Sequence, residues 1–565
     1  MTVEASATLL ERMFKNLFTT LRHYKFAWLG KDVLAGIMVA TVTIPIAMGY
    51  AEVAGLPPIY GLYASVFPVI AYAIFSSSRQ LIFGIDAATS AITGSAIGIL
   101  ILSTGQNALT IAPILSLFVG IFLFVFAVLK FGRFATYLSE PVMSGFISGM
   151  AIAIIVGQIP KILGLPSAGT DFLKNILTII SDSGMINLPS LVLGISVVIL
   201  ILIGRHITPR LPLALFVLIC VTFITYHFQL ESLGVKIVGT IPSGLPSLSF
   251  PNLLLPDIIH IASVGFAIAI IVASDSLLSA RSFASKNRYK LRDNQELFAF
   301  GVSNTFASLS GTSPTSSSVS RTAVSEQYKG KTQLVAIIAA SIVAVIIALF
   351  SQVLYYLPIP ALAGVVVCAL LHLVDVRASL TLKKHSKAEF TIWLVAALGI
   401  LLVGILFGVI MAILLSFADF IRRASTPSQA ILGRIEGRRG HFDISRHKKA
   451  KSIDGILIYR FSAPLFFGNS QLFKQSILNI IKTTHPPVKI IIIDASGITN
   501  IDSTAASTLK KLLRRLSKMD IDLCVARSIG PVNDKFEKFG ISKKVSFYKT
   551  IREAVTAAED QQNSF

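Results

Sequence analysis

From Val33 to about Phe420 the chain runs through one apolar segment after another, most of them near the ~20 residues a helix needs to cross the hydrocarbon core of a bilayer. A backbone in lipid has no water to bond, so runs of this length read as helices that satisfy their own amides. The clearest segments are 33–55, 60–77, 110–130, 141–160, 188–204, 211–228, 258–280, 332–357, 359–374, 389–403 and 404–421. Three more, around 84–102, 295–310 and 315–328, are rich in Gly, Ser and Thr and read as short or broken helices. Of 565 residues, 53% are hydrophobic and 14% charged, against roughly 25% charged in soluble domains. That balance argues against both a soluble enzyme and a disordered chain.

Loop charge gives an orientation. With fourteen segments and both termini in the cytoplasm, the cytoplasmic loops hold 16 Lys and Arg, and only Lys161, Lys174 and Lys236 lie opposite. Such asymmetry is the signature of a chain inserted with its basic loops inside. It also accounts for the net charge of +21 and a pI near 9.9 without a nucleic-acid partner. Cys220, Cys368 and Cys524 sit far apart in apolar runs, which is neither a disulfide framework nor a metal cluster. Residues 1–32 are expected to form a cytoplasmic or interfacial segment. Leu10, Met13, Phe14, Leu17, Phe18 and Leu21 recur at helical spacing, while Glu11, Arg12, Lys15 and Arg22 break any signal-peptide core.

The transmembrane region therefore covers 33–424, followed by a polar, basic linker over 425–452 and a different pattern over 453–565. There, apolar runs at Gly455–Tyr459, Val488–Ile493 and Ile521–Ala526 read as strands, and 470–483, 504–519 and 549–559 as helices. Strands alternating with helices predict a small α/β domain with a largely parallel sheet. Residues 425–565 carry 23 Lys and Arg against 12 Asp and Glu, which places this domain in the cytoplasm by the same charge argument.

Ionisable residues inside spanning segments are expensive, roughly 2.5–3.5 kcal/mol on insertion scales, and so point to function. Asp86 lies in Gly84-Ile85-Asp86-Ala87-Ala88-Thr89-Ser90, Asp275 in Ala273-Ser274-Asp275-Ser276-Leu277-Leu278-Ser279, and Arg321 ends the run from Ser316. Glu52 sits near a segment end, where reaching for the interface accounts for it. A helix broken inside the membrane exposes N–H groups carrying about half a positive charge, which forms an anion site. Small residues let an anion approach that backbone, and Arg321 would add a full charge. Asp275 and Asp86 would hold a cation or proton instead, and Ser279 lies one helical turn from Asp275. Two plainer readings stay open. Small residues also serve close helix packing, and Asp86 and Arg321 could simply neutralise each other.

The ordered occurrence of several motifs resembles the SulP family of anion permeases. These are Asp32-Val33-Leu34-Ala35-Gly36, Ile44-Pro45, Ala54-Gly55-Leu56-Pro57-Pro58, Tyr60-Gly61-Leu62-Tyr63, Ser78-Arg79, Leu138 to Phe146, Asn294-Gln295-Glu296-Leu297 and Gly311 to Arg321. The tail motif Asp494-Ala495-Ser496-Gly497 with Ile501-Asp502-Ser503-Thr504 resembles the STAS domain this family carries. The resemblance implies an α-helical multipass protein of about fourteen helices in two inverted repeats of seven, with a C-terminal α/β STAS domain. It further implies half-helices as the third and tenth spans, beginning near Ala87 and Ser317, with N-termini facing across an anion site. The family's anion contacts map onto Tyr50, Ala87, Ala88, Thr89, Val319, Ser320 and Arg321. Two positions depart from the family: Ile46 replaces a common Gln after Ile-Pro, and Gly84-Ile85 replaces Gly-Pro.

The stretch Asp275 to Ser279 is similar to the sodium site of cyanobacterial bicarbonate permeases, while other members carry an acid there and couple to protons. Ser503 occupies the place phosphorylated in STAS relatives that antagonise anti-sigma factors; a plain helix-capping role competes with that reading. The expected function is secondary active transport of a small anion by alternating access, coupled to H+ or Na+. Sulfate is the first candidate, with bicarbonate and dicarboxylates behind it. An uncoupled channel or exchanger, and a scaffold acting through the tail, are the alternatives. The protein is expected as a homodimer of the inner membrane, with a cytoplasmic partner for the STAS domain and no cofactor beyond the coupling ion. No Gly-rich ATP loop precedes a helix, which argues against a primary pump.

Overall fold

The computed structural model describes residues 24–133, 140–167, 169, 171–207, 213–240, 242, 244–253, 258–374 and 376–563. The amphipathic stretch expected over 10–21 and residues 138–139 of a family motif lie outside them. The chain divides into two compact units, Met1–Ser416 and Phe417–Phe565.

The helices of the first unit follow the apolar segments. They are α1 (Leu29–Val53), α2 (Ile59–Tyr63), α3 (Phe67–Phe75), α4 (Ala87–Thr104), α5 (Ala108–Val128), α6 (Glu140–Leu163), α7 (Phe172–Ser181), α8 (Leu188–Ile207) and α9 (Leu213–His227). Then come α10 (Ile258–Lys286), α11 (Asp293–Leu309), α12 (Val319–Gln327), α13 (Leu334–Phe350), α14 (Ile359–Leu370), α15 (Val376–His385), α16 (Lys387–Val403) and α17 (Ile405–Ser425), whose last residues fall in the second unit. With α2 and α3 counted as one broken span, and the short α7 and α15 set aside, these are fourteen segments among the described residues.

Packing shows the two repeats. The first helix of each half lies on the fourth of the other, α1 on α13 and α10 on α5. The fifth of each likewise lies on the sixth of the other, α6 on α16 and α14 on α8. Small residues set the spacing: a Cβ on Gly94 of α4 would collide with the Val53 carbonyl, and one on Gly61 with the Ala47 carbonyl. The core near the centre is aromatic, with Phe83 stacked 4.7 Å from Phe300 and 4.8 Å from Tyr72, ring centroid to ring centroid.

Two two-residue strands organise the middle. β1 (Phe83–Gly84) and β2 (Ser316–Ser317) pair antiparallel, Phe83 opposite Ser317 and Gly84 opposite Ser316. The Ser318 N–H donates to the Ile82 carbonyl at 2.9 Å, and the Ile82 N–H to Thr322 Oγ1 at 2.9 Å. Each strand leads at once into a half-helix, β1 into α4 and β2 into α12. Antiparallel pairing therefore points the two helix N-termini at one another.

In the second unit the sheet order is β4-β3-β5-β6-β7-β8, with β3 (Gln429–Arg434), β4 (His441–Asp443), β5 (Ile456–Phe461), β6 (Ile490–Asp494), β7 (Asp522–Ala526) and β8 (Ser546–Tyr548). β5 through β8 are parallel, while β3 pairs antiparallel with both β4 and β5. Alternation along the strands feeds two cores. Leu457, Tyr459, Ile491, Ile493 and Val525 face α18 (Ser470–Thr483), α19 (Ser503–Ser517) and α20 (Gly530–Lys538). Ile456, Ile458, Ile490, Ile492 and Cys524 face α21 (Ile551–Asn563). The stretch 425–452 expected as a linker is thus corrected: it contributes two strands. Of the two, β4 is the edge strand with β3 as its one neighbour, and both are only partly buried, which leaves room for their polar residues.

Candidate functional site

A cavity of about 70 Å³ lies at the ends of the two half-helices, bounded by Tyr50, Asp86, Ala87, Ala88, Asp275, Ser317, Val319 and Ser320 on one side. Ile147 and Met150 of α6, with Ala369 and Leu373 in and after α14, close the other. The sequence singled out seven of the first eight. Asp86 precedes α4 as its N-cap residue and Ser318 precedes α12, yet neither side chain forms a capping bond, so donors at both N-termini are left for another partner.

The sequence-selected residues divide into those at the cavity and those behind it. Tyr50 is buried on α1, five residues after the helix-interior Pro45. The Asp86 carboxylate lies beside the Ala87 and Ala88 N–H groups and the Ser318 hydroxyl without closing a well-formed bond to the helix start. Asp275 of α10 accepts from Ser317 Oγ at 3.2 Å, and the neighbouring Ser276 Oγ accepts from the Ser317 N–H at 3.0 Å. The α10 helix is thereby tied to β2. Thr89 turns away from the cavity and donates to Ser316 Oγ at 2.6 Å. Ser279 is buried on α10 and is not part of the cavity lining.

Arg321 stands behind the wall. It is 1% exposed, and its guanidinium reaches from α12 to donate to the Ile85 carbonyl across the β1–β2 crossing. A Cβ on Gly84 would come 3.2 Å from its Nη1, so glycine there lets the guanidinium lie against the strand. Its Nε has no hydrogen-bond partner among the described residues. A buried cation short of one acceptor, close to a carboxylate and two helix N-termini, is an electrostatic centre prepared for an anion.

Glu296 of α11 has a role the sequence did not disclose. Fully buried, it accepts from the Ser77 and Ser78 N–H groups at 2.6 and 2.8 Å, from Tyr72 Oη at 2.8 Å and from Ser77 Oγ at 2.7 Å. It fixes the loop that delivers β1 and hence α4. Ile147, Met150, Ala369 and Leu373 also escaped notice, because apolar residues in apolar helices carry no local signal. Glu52 pairs with Lys161 of α6 at 2.7 Å rather than reaching alone for the interface. In the second unit Asp502 caps α19, accepting from the Ala505 N–H at 2.7 Å, which leaves Ser503 exposed as the first helical residue. Among the described residues no cluster of three His, Cys, Asp or Glu could hold a metal ion.

Two inverted repeats, half-helices meeting at the centre and a separate α/β unit define a membrane transporter architecture with a STAS domain. The chain belongs to the sulfate permease family: that family's model matches residues 29–396, and the STAS domain model matches 447–554. A probable sulfate transporter of Mycobacterium tuberculosis is 32% identical over 539 residues, covering 95% of this chain and 96% of the relative. The chloroplastic sulfate transporter 4.1 of Arabidopsis thaliana is 32% identical over 566 residues, covering 95% and 81%. Among solved structures, the fold matches the murine solute carrier 26 family member A9 anion transporter at TM-score 0.88 and 22% identity, covering 97% and 95%. It matches the transmembrane domain of a cyanobacterial bicarbonate transporter, BicA, at TM-score 0.61 and 23% identity, covering 70% and 98%.

Proposed function

We propose that this protein is a secondary active transporter of a small anion, with sulfate as the first candidate, and not an enzyme. The observation that carries this is the antiparallel β1–β2 pair, which sets two uncapped half-helix N-termini face to face beside a buried arginine. The anion would be held by the N–H groups of Ala87, Ala88, Thr89, Val319 and Ser320, with Arg321 as the charge behind them and Tyr50 as a hydroxyl donor. Helix N-termini inside the membrane serve this purpose in transporters built from inverted repeats. The relatives named as sulfate transporters support the choice of anion.

Asp275, with Asp86 across the cavity and Ser279 one turn along α10, would carry the coupling H+ or Na+. The cavity has walls from two groups of helices, α1, α4, α10 and α12 on one side and α6 and α14 on the other. Rocking one group against the other would open it to alternate sides. We place the protein in the inner membrane as a homodimer, with both termini cytoplasmic and Ser503 available to a regulatory kinase or partner.

The test is uptake of labelled sulfate, bicarbonate and fumarate into proteoliposomes under an imposed Na+ or H+ gradient, with Arg321→Ala as control. Uptake of one anion driven by one gradient and lost in the control is the expected result. Flux indifferent to both gradients would overturn symport in favour of a channel or exchanger.

A further inference from the structure

We infer that Asp86 is an internal counter-anion of the site, and that a substrate anion binds by taking its place beside Arg321 and the half-helix N-termini. This deepens, and rests on, the anion-site reading above. Position is the first argument. As the residue before α4, Asp86 carries its carboxylate beside the Ala87 and Ala88 N–H groups and the Ser318 hydroxyl, the same corner where the substrate would seat its oxygens.

Charge is the second. The groups facing Asp86 are Arg321 from α12, Asp275 from α10 and the neutral hydroxyl of Tyr50 from α1. The Arg321 guanidinium is already faced by the Asp86 carboxylate, which leaves the helix ends, each worth about half a charge, as the remaining positive character. An anion added to that set meets repulsion, whereas one that replaces the Asp86 carboxylate inherits its donors. Space is the third. The cavity of about 70 Å³ is bounded by Asp86 together with Ala87 and Ala88, so an anion seated against those N–H groups contends with the carboxylate for the same corner.

The Asp86 side chain closes no capping bond to the start of α4. Such an internal carboxylate keeps the donors from being wholly unpaired when no substrate is bound, yet yields to a better ligand. It also filters. Only an oxyanion that engages donors of both helix ends at once outcompetes a single tethered carboxylate, which favours a tetrahedral dianion or a dicarboxylate over a halide. The displaced carboxylate then lies on the Asp275 side, where a cation accompanying the anion would find it.

Equilibrium binding of sulfate to the purified full chain in detergent, at fixed pH and without any gradient, tests this. Asp86→Asn removes the competing charge and is expected to bind sulfate about tenfold more tightly, about 1.4 kcal/mol. Asp86→Glu, which keeps a tethered carboxylate, is expected to show no gain. If Asp86→Asn does not fold, Asp86→Ser makes the same prediction with a smaller side chain. Binding by the unmodified protein that is unchanged or weakened in the neutral variant overturns the inference. Absence of binding of sulfate, bicarbonate and fumarate to both proteins instead overturns the anion-site reading beneath it.

Discussion

Asp494 of the C-terminal unit and Arg321 of the membrane unit are both buried charges within family motifs, and they are treated in opposite ways. In the C-terminal unit Asp494, at the end of β6, is 0% exposed. Arg460 donates to it at 2.7 Å, Arg527 at 2.7 and 3.0 Å, and the Ser496 N–H at 3.2 Å. In the membrane unit Arg321 is 1% exposed, donates to one carbonyl and keeps an unpartnered Nε. The membrane is not the cause of the difference, because Glu296, equally buried in the membrane unit, is fully bonded. What separates them is completeness. A buried charge with every valence met fixes a structure, and one left short is prepared for a ligand.

The sharpest way to break this contrast is Arg321→Ala. If the arginine holds substrate, uptake per folded transporter falls by about 100-fold or more, as for a truncated buried charge pair. Arg321→Lys should recover only part, since an ammonium lacks the planar fork. Retained uptake in the alanine variant would make Arg321 a structural neutraliser of Asp86. Glu296→Gln should act in the other sense. Losing charge-assisted bonds to two N–H groups and two hydroxyls should lower stability by about 3 kcal/mol, read as a drop in Tm in detergent. Sulfate affinity in the fraction that remains folded should be little changed.

Asp494→Asn sharpens the same point in the other unit. Burial alone would raise the Asp494 carboxyl, but the Arg527 and Arg460 guanidiniums and Ser496 outweigh it and hold it below the usual range. Its stabilising contribution is therefore complete above its unfolded value near 3.9 and is lost as pH falls through the lower folded value. Hydrogen exchange of β5–β7 amides in the full chain should show protection weakening below about pH 4 in the unmodified protein. The asparagine variant should lose about 2 kcal/mol of protection at neutral pH and show less of this acid dependence. Ser503→Asp is expected to have the smallest effect. An added charge at the start of α19 should stabilise that helix by about 0.5 kcal/mol, and a change in uptake without a change in Tm would mark Ser503 as regulatory.

Much of the fold was legible because its signals are local. Apolar length showed the spans, and small residues beside Asp86 and Arg321 marked the broken ones. The first half-helix begins at Ala87 as expected, and the second at Val319, two residues beyond the expected Ser317, because Ser316 and Ser317 are taken up in β2. A two-residue strand has no period to read. The cavity wall from Ile147, Met150, Ala369 and Leu373 was silent for a related reason: apolar residues that face a site and those that face lipid look alike. The strands in 425–452 were missed because both are short and only partly buried, so neither shows a clean alternation. Asp502 took the capping role weighed for Ser503, since only the backbone path decides which of two adjacent polar residues precedes the first turn.

The sequence by itself determined the membrane-spanning architecture, the α/β tail and the short set of ionisable residues worth attention. Lipid and water impose those choices residue by residue, so they are written in composition and local spacing. Only the tertiary structure decided that Phe83 meets Ser317 across more than two hundred residues, that the Arg321 guanidinium reaches the Ile85 carbonyl, and that Glu296 gathers the loop before β1. Those pairings arise when two repeats fold against each other, and the backbone groups they satisfy have no signature in any single segment.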